Sequence, residues 1–499
     1  MGAGRVSGSL PRFAAVPVGL VVALQAVVLT LLSGRYGFHR DELYFLAAGK
    51  RPAWGYVDQP PITPWLARAS TALFGETPMG LRVAATLLGM ATVVVVVLIA
   101  REFGGGRGVQ VFTAVATALS TYVLVVSHML ATNSADTLLW SLIAFAGLRL
   151  LRTGDGRWWL AVGAAAGLGM MNKWLVLLLL SGLGIGVAVA GPRRVFRTWW
   201  LAAGIGVAAV LTAPVVLWQA SHGWPMLTVA GGISDDDGGE NRVLFVPMQL
   251  VYLSPVLVPV WIAGLVRPWR DAAVRWARAL AIAYPVVCVE LLALGGKPYY
   301  SVPLLLPLVA LGAEPALRWL ARTGTVLRAS IGVVTAVCVV VSVLIGLPVV
   351  PATALNGVLL AVNKEPGEQV GWPGFADTVA TAWAQVPDKD TAVILTDNYG
   401  EAGALEYYGP ERGLPQPYSP HMSYADWGPP PDRLVGPVLV IGRIERGSPA
   451  SRLITGCHAV ATHHNAEGVD NDEDGVTISL CVTLTRPWSA AWPQLRRFY

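Results

Sequence analysis

Apolar runs of about 13 to 22 residues recur between positions 13 and 350, separated by short polar connectors. Runs of this length match a hydrocarbon core roughly 30 Å thick, so the pattern predicts a polytopic α-helical membrane protein. About eleven spans are expected, at 13–33, 81–100, 109–126, 136–151, 159–171, 174–190, 198–218, 244–266, 279–295, 299–317 and 329–350, with room for up to thirteen. The first run follows Arg5 and Arg12 but shows no small-residue cleavage site before Arg40-Asp41-Glu42, which predicts a retained helix.

After position 350 the periodicity changes. Residues 392–396 and 437–441 read as short buried strands, 476–484 alternates as a strand does, and 400–408 fits a helix. The expected division is a membrane domain over 1–350, with an outer loop at 34–80 carrying interfacial helices, and a soluble α/β domain over 351–499.

Composition fits this division: 54% of residues are hydrophobic and 13% charged. Residues 1–350 hold 26 Lys+Arg against 14 Asp+Glu, whereas 351–499 hold 10 against 17. The basic excess sits in connectors between spans, so it reports orientation in the membrane, and no nucleic-acid partner is expected. Connectors at 101–107, 152–157, 193–197, 267–278 and 318–328, with the N-terminus, are expected in the cytoplasm. Connectors at 34–80, 127–135, 219–243 and 296–299 then face outward, as does the C-terminal domain. This scheme needs the chain to turn at Asn172-Lys173; one long helix there would invert everything downstream.

Cys288 and Cys338 fall in apolar spans, while Cys457 and Cys481 fall in the C-terminal domain, where an oxidising exterior would permit a disulfide or leave two thiols. There is no zinc-ligand spacing, P-loop, dinucleotide fingerprint or internal repeat.

Candidate chemistry gathers at the outer ends of the spans. Asp41 and Glu42 lie in a loop with Tyr36, Phe38, Tyr44, Phe45, Trp54, Tyr56 and Trp65, and desolvation at the lipid surface would make a carboxylate there a better proton acceptor. The plain alternative is a solvated loop paired with Arg40. The second outer loop offers His128, Asn133 and Asp136, of which Asp136 reads as the cap of the following helix. Only five lysines occur, and Lys173 and Lys297 both sit at outer helix ends, where they either snorkel or grip a lipid phosphate. Glu290 is spaced to pair with Lys297, and Arg82 opens the second span.

Taken in order, Arg40-Asp41-Glu42, Trp54-Gly55-Tyr56-Val57-Asp58-Gln59-Pro60-Pro61, Asn172-Lys173, His222-Gly223-Trp224-Pro225, residues 295–300 and Thr396-Asp397-Asn398-Tyr399-Gly400-Glu401-Ala402-Gly403-Ala404 resemble the GT-C class of membrane glycosyltransferases. Within it they resemble bacterial members of the protein mannosyltransferase-like family that includes lipid A aminoarabinose transferase. The resemblance implies a GT-C type membrane fold in a bacterial plasma membrane. It also implies inverting transfer of one sugar from a polyprenyl-phosphate donor to a protein, lipid or envelope-glycan acceptor at the outer face. On that basis Asp41 matches the catalytic base with Glu42 beside it, and Asp58, Pro60 and Pro61 match a loop element. Lys173 matches the carrier-phosphate lysine, with Lys297, Tyr299, Tyr300 and Arg82 as further donor-phosphate candidates. Asn133 stands where relatives often carry an acid, leaving Asp136 as the carboxylate of that loop. No cofactor is implied with certainty; divalent-metal use varies in the class, and no ligand cluster in the sequence assigns one. Rival readings are a lipid-linked sugar transporter or flippase, which would spread charge across membrane depth, and a non-catalytic glycolipid-binding protein.

Overall fold

The computed structural model describes residues 10–442 and 448–498, so the expected N-terminal charge at Arg5 lies outside the described residues. Among the described residues, seven helices are long and apolar enough to cross a membrane: Ala15–Leu32, Pro78–Glu102, Thr132–Thr153, Trp199–Ser221, Ala272–Leu294, Pro298–Arg322 and Thr325–Gly346. The pair Arg107–Ala118 and Thr121–His128 is apolar enough only when taken together and is bent by 61°, the shape of a broken span or a re-entrant loop. Trp158–Met170 and Val176–Ala190 are shorter apolar helices.

The expected span at 244–266 is not one helix. Gly238–Gln249 ends and Val258–Arg270 begins beyond an irregular segment. The carbonyls of Tyr252 and Leu253 in that segment accept from the backbone N–H groups of Tyr122 and Thr121, at 2.9 and 3.2 Å. Those donors are the ones freed where the 107–128 pair bends. Two broken helices therefore satisfy each other's backbone, the condition for irregular chain at membrane depth.

The chain does turn at Asn172-Lys173. Asn172 accepts from the Thr63 hydroxyl at 2.9 Å and donates to the Thr132 carbonyl at 2.8 Å, while Ile62 N–H reaches Met171 O at 3.1 Å. At the far ends of the two helices, Trp159 Nε1 donates to Val195 O at 2.9 Å, beside Leu150, Val187 and Trp276. The Arg-rich connectors share that far end. Trp276 packs on Phe103 with ring centroids 5.6 Å apart, Arg152 pairs with Glu102 at 2.6 Å, and Arg101 donates to Pro11 O at 2.7 Å. The outer-loop candidates sit at the opposite end.

Beyond the last span, β1 (Val393–Thr396), β2 (Pro417–Tyr418), β3 (Val438–Ile441), β4 (Ile454–Thr455), β5 (His458–Thr462), β6 (Thr477–Cys481) and β7 (Thr483–Leu484) build two sheets. The larger has the order β2-β1-β3-β6-β5, parallel among β1, β2 and β3 and antiparallel across β3, β6 and β5; β4 and β7 form a separate pair. β1 and β3 are buried throughout, which accounts for their continuously apolar sequences. The core of this α/β unit continues into the membrane region. Ile394, Leu405 and Leu439 share one apolar cluster with Leu43, Phe45 and Leu46 of the Arg40–Lys50 helix.

Cys457 and Cys481 form a disulfide closing a separation of 24 residues. Cys457→Ser should cost the α/β unit about 3 kcal/mol, read as a lower thermal midpoint with and without reductant. An unchanged midpoint would show that the bridge carries no stability.

Candidate functional site

The geometry begins at the start of the Arg40–Lys50 helix. His39 caps it: its Nδ1 accepts from Asp41 N–H at 3.1 Å, and Glu42 Oε2 accepts from His39 N–H at 2.9 Å. His39 Nε2 stands 3.0 Å from the Glu365 carboxylate, which favours the proton on that nitrogen and leaves Nδ1 as the acceptor. Successive helical residues point about 100° apart, which turns the two acids to different surroundings.

Glu42 is fully buried and all of its acceptor sites are filled. Oε1 takes Arg82 Nε at 2.9 Å and Leu130 N–H at 3.0 Å; Oε2 takes Arg82 Nη2 at 2.7 Å besides His39 N–H. Arg82 is equally enclosed, donating also to Ser33 O, Gly37 O and Gln369 Oε1. The expectation of Glu42 as a catalytic carboxylate beside Asp41, and of Arg82 as a phosphate ligand, is thus corrected. They form a structural ion pair with nothing left to offer a substrate.

Asp41 faces a cavity of about 200 Å³, which it lines with Asn133, Lys173, Tyr299 and Glu365, opposite an apolar wall that includes Val125 and Met248. Lys173 Nζ donates to Asn133 Oδ1 at 2.8 Å and stands 4.4 Å from the Tyr300 ring centroid and 5.9 Å from that of Tyr299. Burial works against the charge on this ammonium and pushes it down to about 8, opposed by the fields of Asp136 and Asp41 and aided by that of Lys297. The ring pair and Asn133 hold the side chain in place while it stays half-buried at the cavity wall.

The remaining candidates fall elsewhere. Lys297 approaches Asp237 at 3.7 Å and is not on the cavity wall, and Glu290 accepts from the Ser181 hydroxyl at 2.5 Å instead of pairing with Lys297. Asp136 does not cap its helix. That helix starts at Thr132, with Ala131 N–H bonded to Ser134 Oγ, which leaves Asp136 buried in its second turn. His128 is buried near Arg82 and does not line the cavity. Asp58 accepts from the Tyr44 hydroxyl at 2.5 Å; burial, and the nearby Asp41 charge, push its carboxyl up to about 6 against that hydrogen bond. Pro60 and Pro61 are buried just before the Ile62–Phe74 helix and set its approach to Met171.

Two site residues carried no role in the sequence. Glu365 comes from the segment after the last span, and Tyr399, whose hydroxyl donates to Asp41 Oδ1 at 2.7 Å, comes from the α/β unit. Tyr399 belonged to a recognisable motif, but its target lies 358 positions away. No group of three or more His, Cys, Asp or Glu side chains among the described residues is arranged to hold a metal ion.

Residues 58–218 match the family described as dolichyl-phosphate-mannose-protein mannosyltransferase. Asp58 and Lys173 fall inside the matched segment, and Asp41 lies before it. The fold is similar to that of ArnT from Cupriavidus metallidurans in a crystal structure bound to undecaprenyl phosphate. Identity is 16%, the TM-score is 0.61, and the match covers 94% of this chain and 98% of that one. The apo crystal structure of ArnT from the same organism matches with the same identity and coverage and a TM-score of 0.58. No curated protein sequence matches significantly. The chain is a multi-pass membrane protein with a GT-C type fold. One segment thus matches the protein mannosyltransferase-like family by sequence, and the chain as a whole is similar to ArnT in fold, the resemblance the sequence motifs carry.

Proposed function

We propose that this protein is an inverting glycosyltransferase that moves one sugar from a polyprenyl-phosphate carrier to an acceptor at the outer face of a bacterial plasma membrane. The observation that carries the reading is one cavity holding a carboxylate and an ammonium, Asp41 and Lys173, beside an apolar wall at the membrane end. The Lys173 ammonium binds the carrier phosphate, and the apolar wall takes the first part of the prenyl chain. Asp41 accepts the proton of the acceptor hydroxyl or amine as that atom attacks the anomeric carbon. The bond from that carbon to the phosphate oxygen breaks with its electrons leaving on the phosphate, whose growing charge Lys173 stabilises in a site poor in water. Asn133 and the two tyrosines support this by fixing Lys173, not by reacting.

The test is purified protein in lipid with labelled polyprenyl-phosphate sugars and an envelope extract. Lys173→Met should raise the donor KM about 10- to 100-fold, the loss expected for a charged hydrogen bond to phosphate. If no sugar leaves the carrier with wild type, or if the variant matches wild type, the reading is wrong.

A further inference from the structure

We infer that Tyr399 is a positioning residue for the base, so that the α/β unit completes the active site instead of merely flanking it. This rests on the transferase reading above.

The local sequence is built to deliver one hydroxyl to one carboxylate. Tyr399 is the first residue of the Tyr399–Tyr408 helix, whose start is closed by Asn398 and Glu401 in a reciprocal cap, with Glu401 Oε2 also taking Asp397 N–H at 2.9 Å. The helix lies directly on the Arg40–Lys50 helix because two glycines let it. A Cβ at Gly400 would stand 3.1 Å from Arg40 Cβ, and one at Gly403 would stand 3.0 Å from Leu43 Cβ. At that separation the Tyr399 ring is held on three sides, 4.9 Å from Tyr44, 5.3 Å from His421 and 5.5 Å from the Arg40 guanidinium. Arg40 itself spans the junction, pairing with Glu368 at 3.2 Å and Asp472 at 2.7 Å. Burial, and then the adjacent Asp41 charge, hold the Tyr399 hydroxyl well above its usual titration range, so it stays a donor.

The consequence for Asp41 is a carboxylate with one oxygen engaged. Oδ1 is taken by Tyr399, which sets the side-chain torsion and leaves Oδ2 for the acceptor's proton. The helix that carries Tyr399, its cap and His421 all belong to the region beyond the last span.

The experiment compares wild type, Asp41→Asn and Tyr399→Phe with labelled donor and extract, recording kcat, donor KM and thermal midpoint. Tyr399→Phe keeps the ring contacts and removes only the hydroxyl, so kcat should fall about 10- to 100-fold, the loss of one hydrogen bond to a charged group. Donor KM should stay within about twofold and the midpoint within about 2 °C. A kcat equal to wild type, or a loss that follows a raised donor KM or a lowered midpoint, overturns the positioning role. A wild type that moves no sugar, or an Asp41→Asn enzyme that works normally, instead overturns the reading on which it rests. Should Tyr399→Phe not fold, Gly403→Val displaces the helix from Leu43 with the hydroxyl intact. It should give the same kcat loss if positioning matters, and wild-type kcat if it does not.

Discussion

Asp41→Asn should lower sugar transfer about a thousandfold, close to 4 kcal/mol of transition-state stabilisation, while leaving affinity for a polyprenyl phosphate intact. The substitution nearly preserves shape, and its amide oxygen still accepts the Tyr399 hydroxyl that Asp41 Oδ1 accepts at 2.7 Å. What it removes is the ability to take a proton. In the proposed mechanism phosphate binding falls to Lys173, anchored independently on Asn133, so donor binding and chemistry should separate cleanly in this variant. Glu365 and Asp58 also lie near enough to compete for the role. Glu365 lines the same cavity but is engaged by His39, and Asp58 is bonded to Tyr44 and lies off the cavity wall. Glu365→Gln and Asp58→Asn should therefore each cost less than about tenfold in kcat. Single-turnover rates at saturating donor decide among the three. An Asp41→Asn rate within tenfold of wild type, or a larger loss at Glu365, would assign the base elsewhere.

Much of this arrangement was legible from pattern alone. Long apolar runs located most of the spans, since helix length and membrane thickness are matched. Arg placement on both flanks of 159–190 requires the turn at Asn172-Lys173. The strands at 392–396 and 437–441 and the helix over 400–408 also match observed elements, because both periods are local properties, whereas 476–484 divides between β6 and β7 of separate sheets. The scarcity of lysine sets Lys173 apart in the sequence, and the structure brings it to the cavity with Asp41.

The misses share a physical cause: each depended on direction or on distant chain. Hydropathy cannot distinguish a continuous helix from two pieces whose broken backbone is satisfied by a neighbour, so 244–266 read as one span although Tyr252 and Leu253 bond residues 122 and 121. Adjacent acids look alike in sequence, yet one step of helix turns Asp41 to the cavity and Glu42 to Arg82. Asp136 was placed at a helix start because the polar residues before it hid the first turn, which begins at Thr132. Tyr399 and Glu365 come from beyond the last span, and local pattern holds no information about such partners.

The largest stability effect should come from the same neighbourhood, at the ion pair that sequence reading mistook for chemistry. Arg82→Met should destabilise the protein by about 3 to 5 kcal/mol, because it strands the Glu42 carboxylate in an interior that gives neither side chain any exposure to solvent. It also removes donors to Ser33 O, Gly37 O and Gln369 Oε1, loosening the join between the first span, the outer loop and the segment near residue 369. Glu42→Gln should cost less, since its remaining carbonyl oxygen still accepts and the Arg82 charge it leaves unpaired keeps the Ser33, Gly37 and Gln369 oxygens as partners. The double variant Glu42→Gln/Arg82→Met should be less destabilised than the sum of the singles, since an uncompensated charge no longer remains. Thermal unfolding in detergent measures all three. Activity per folded molecule supplies the sharper criterion: Glu42→Gln should keep kcat within about tenfold of wild type once loss of folded protein is corrected, whereas Asp41→Asn should not. If Glu42→Gln instead folds normally and loses transfer as Asp41→Asn does, Glu42 belongs to the chemistry and the separation of the two acids drawn from their burial is wrong.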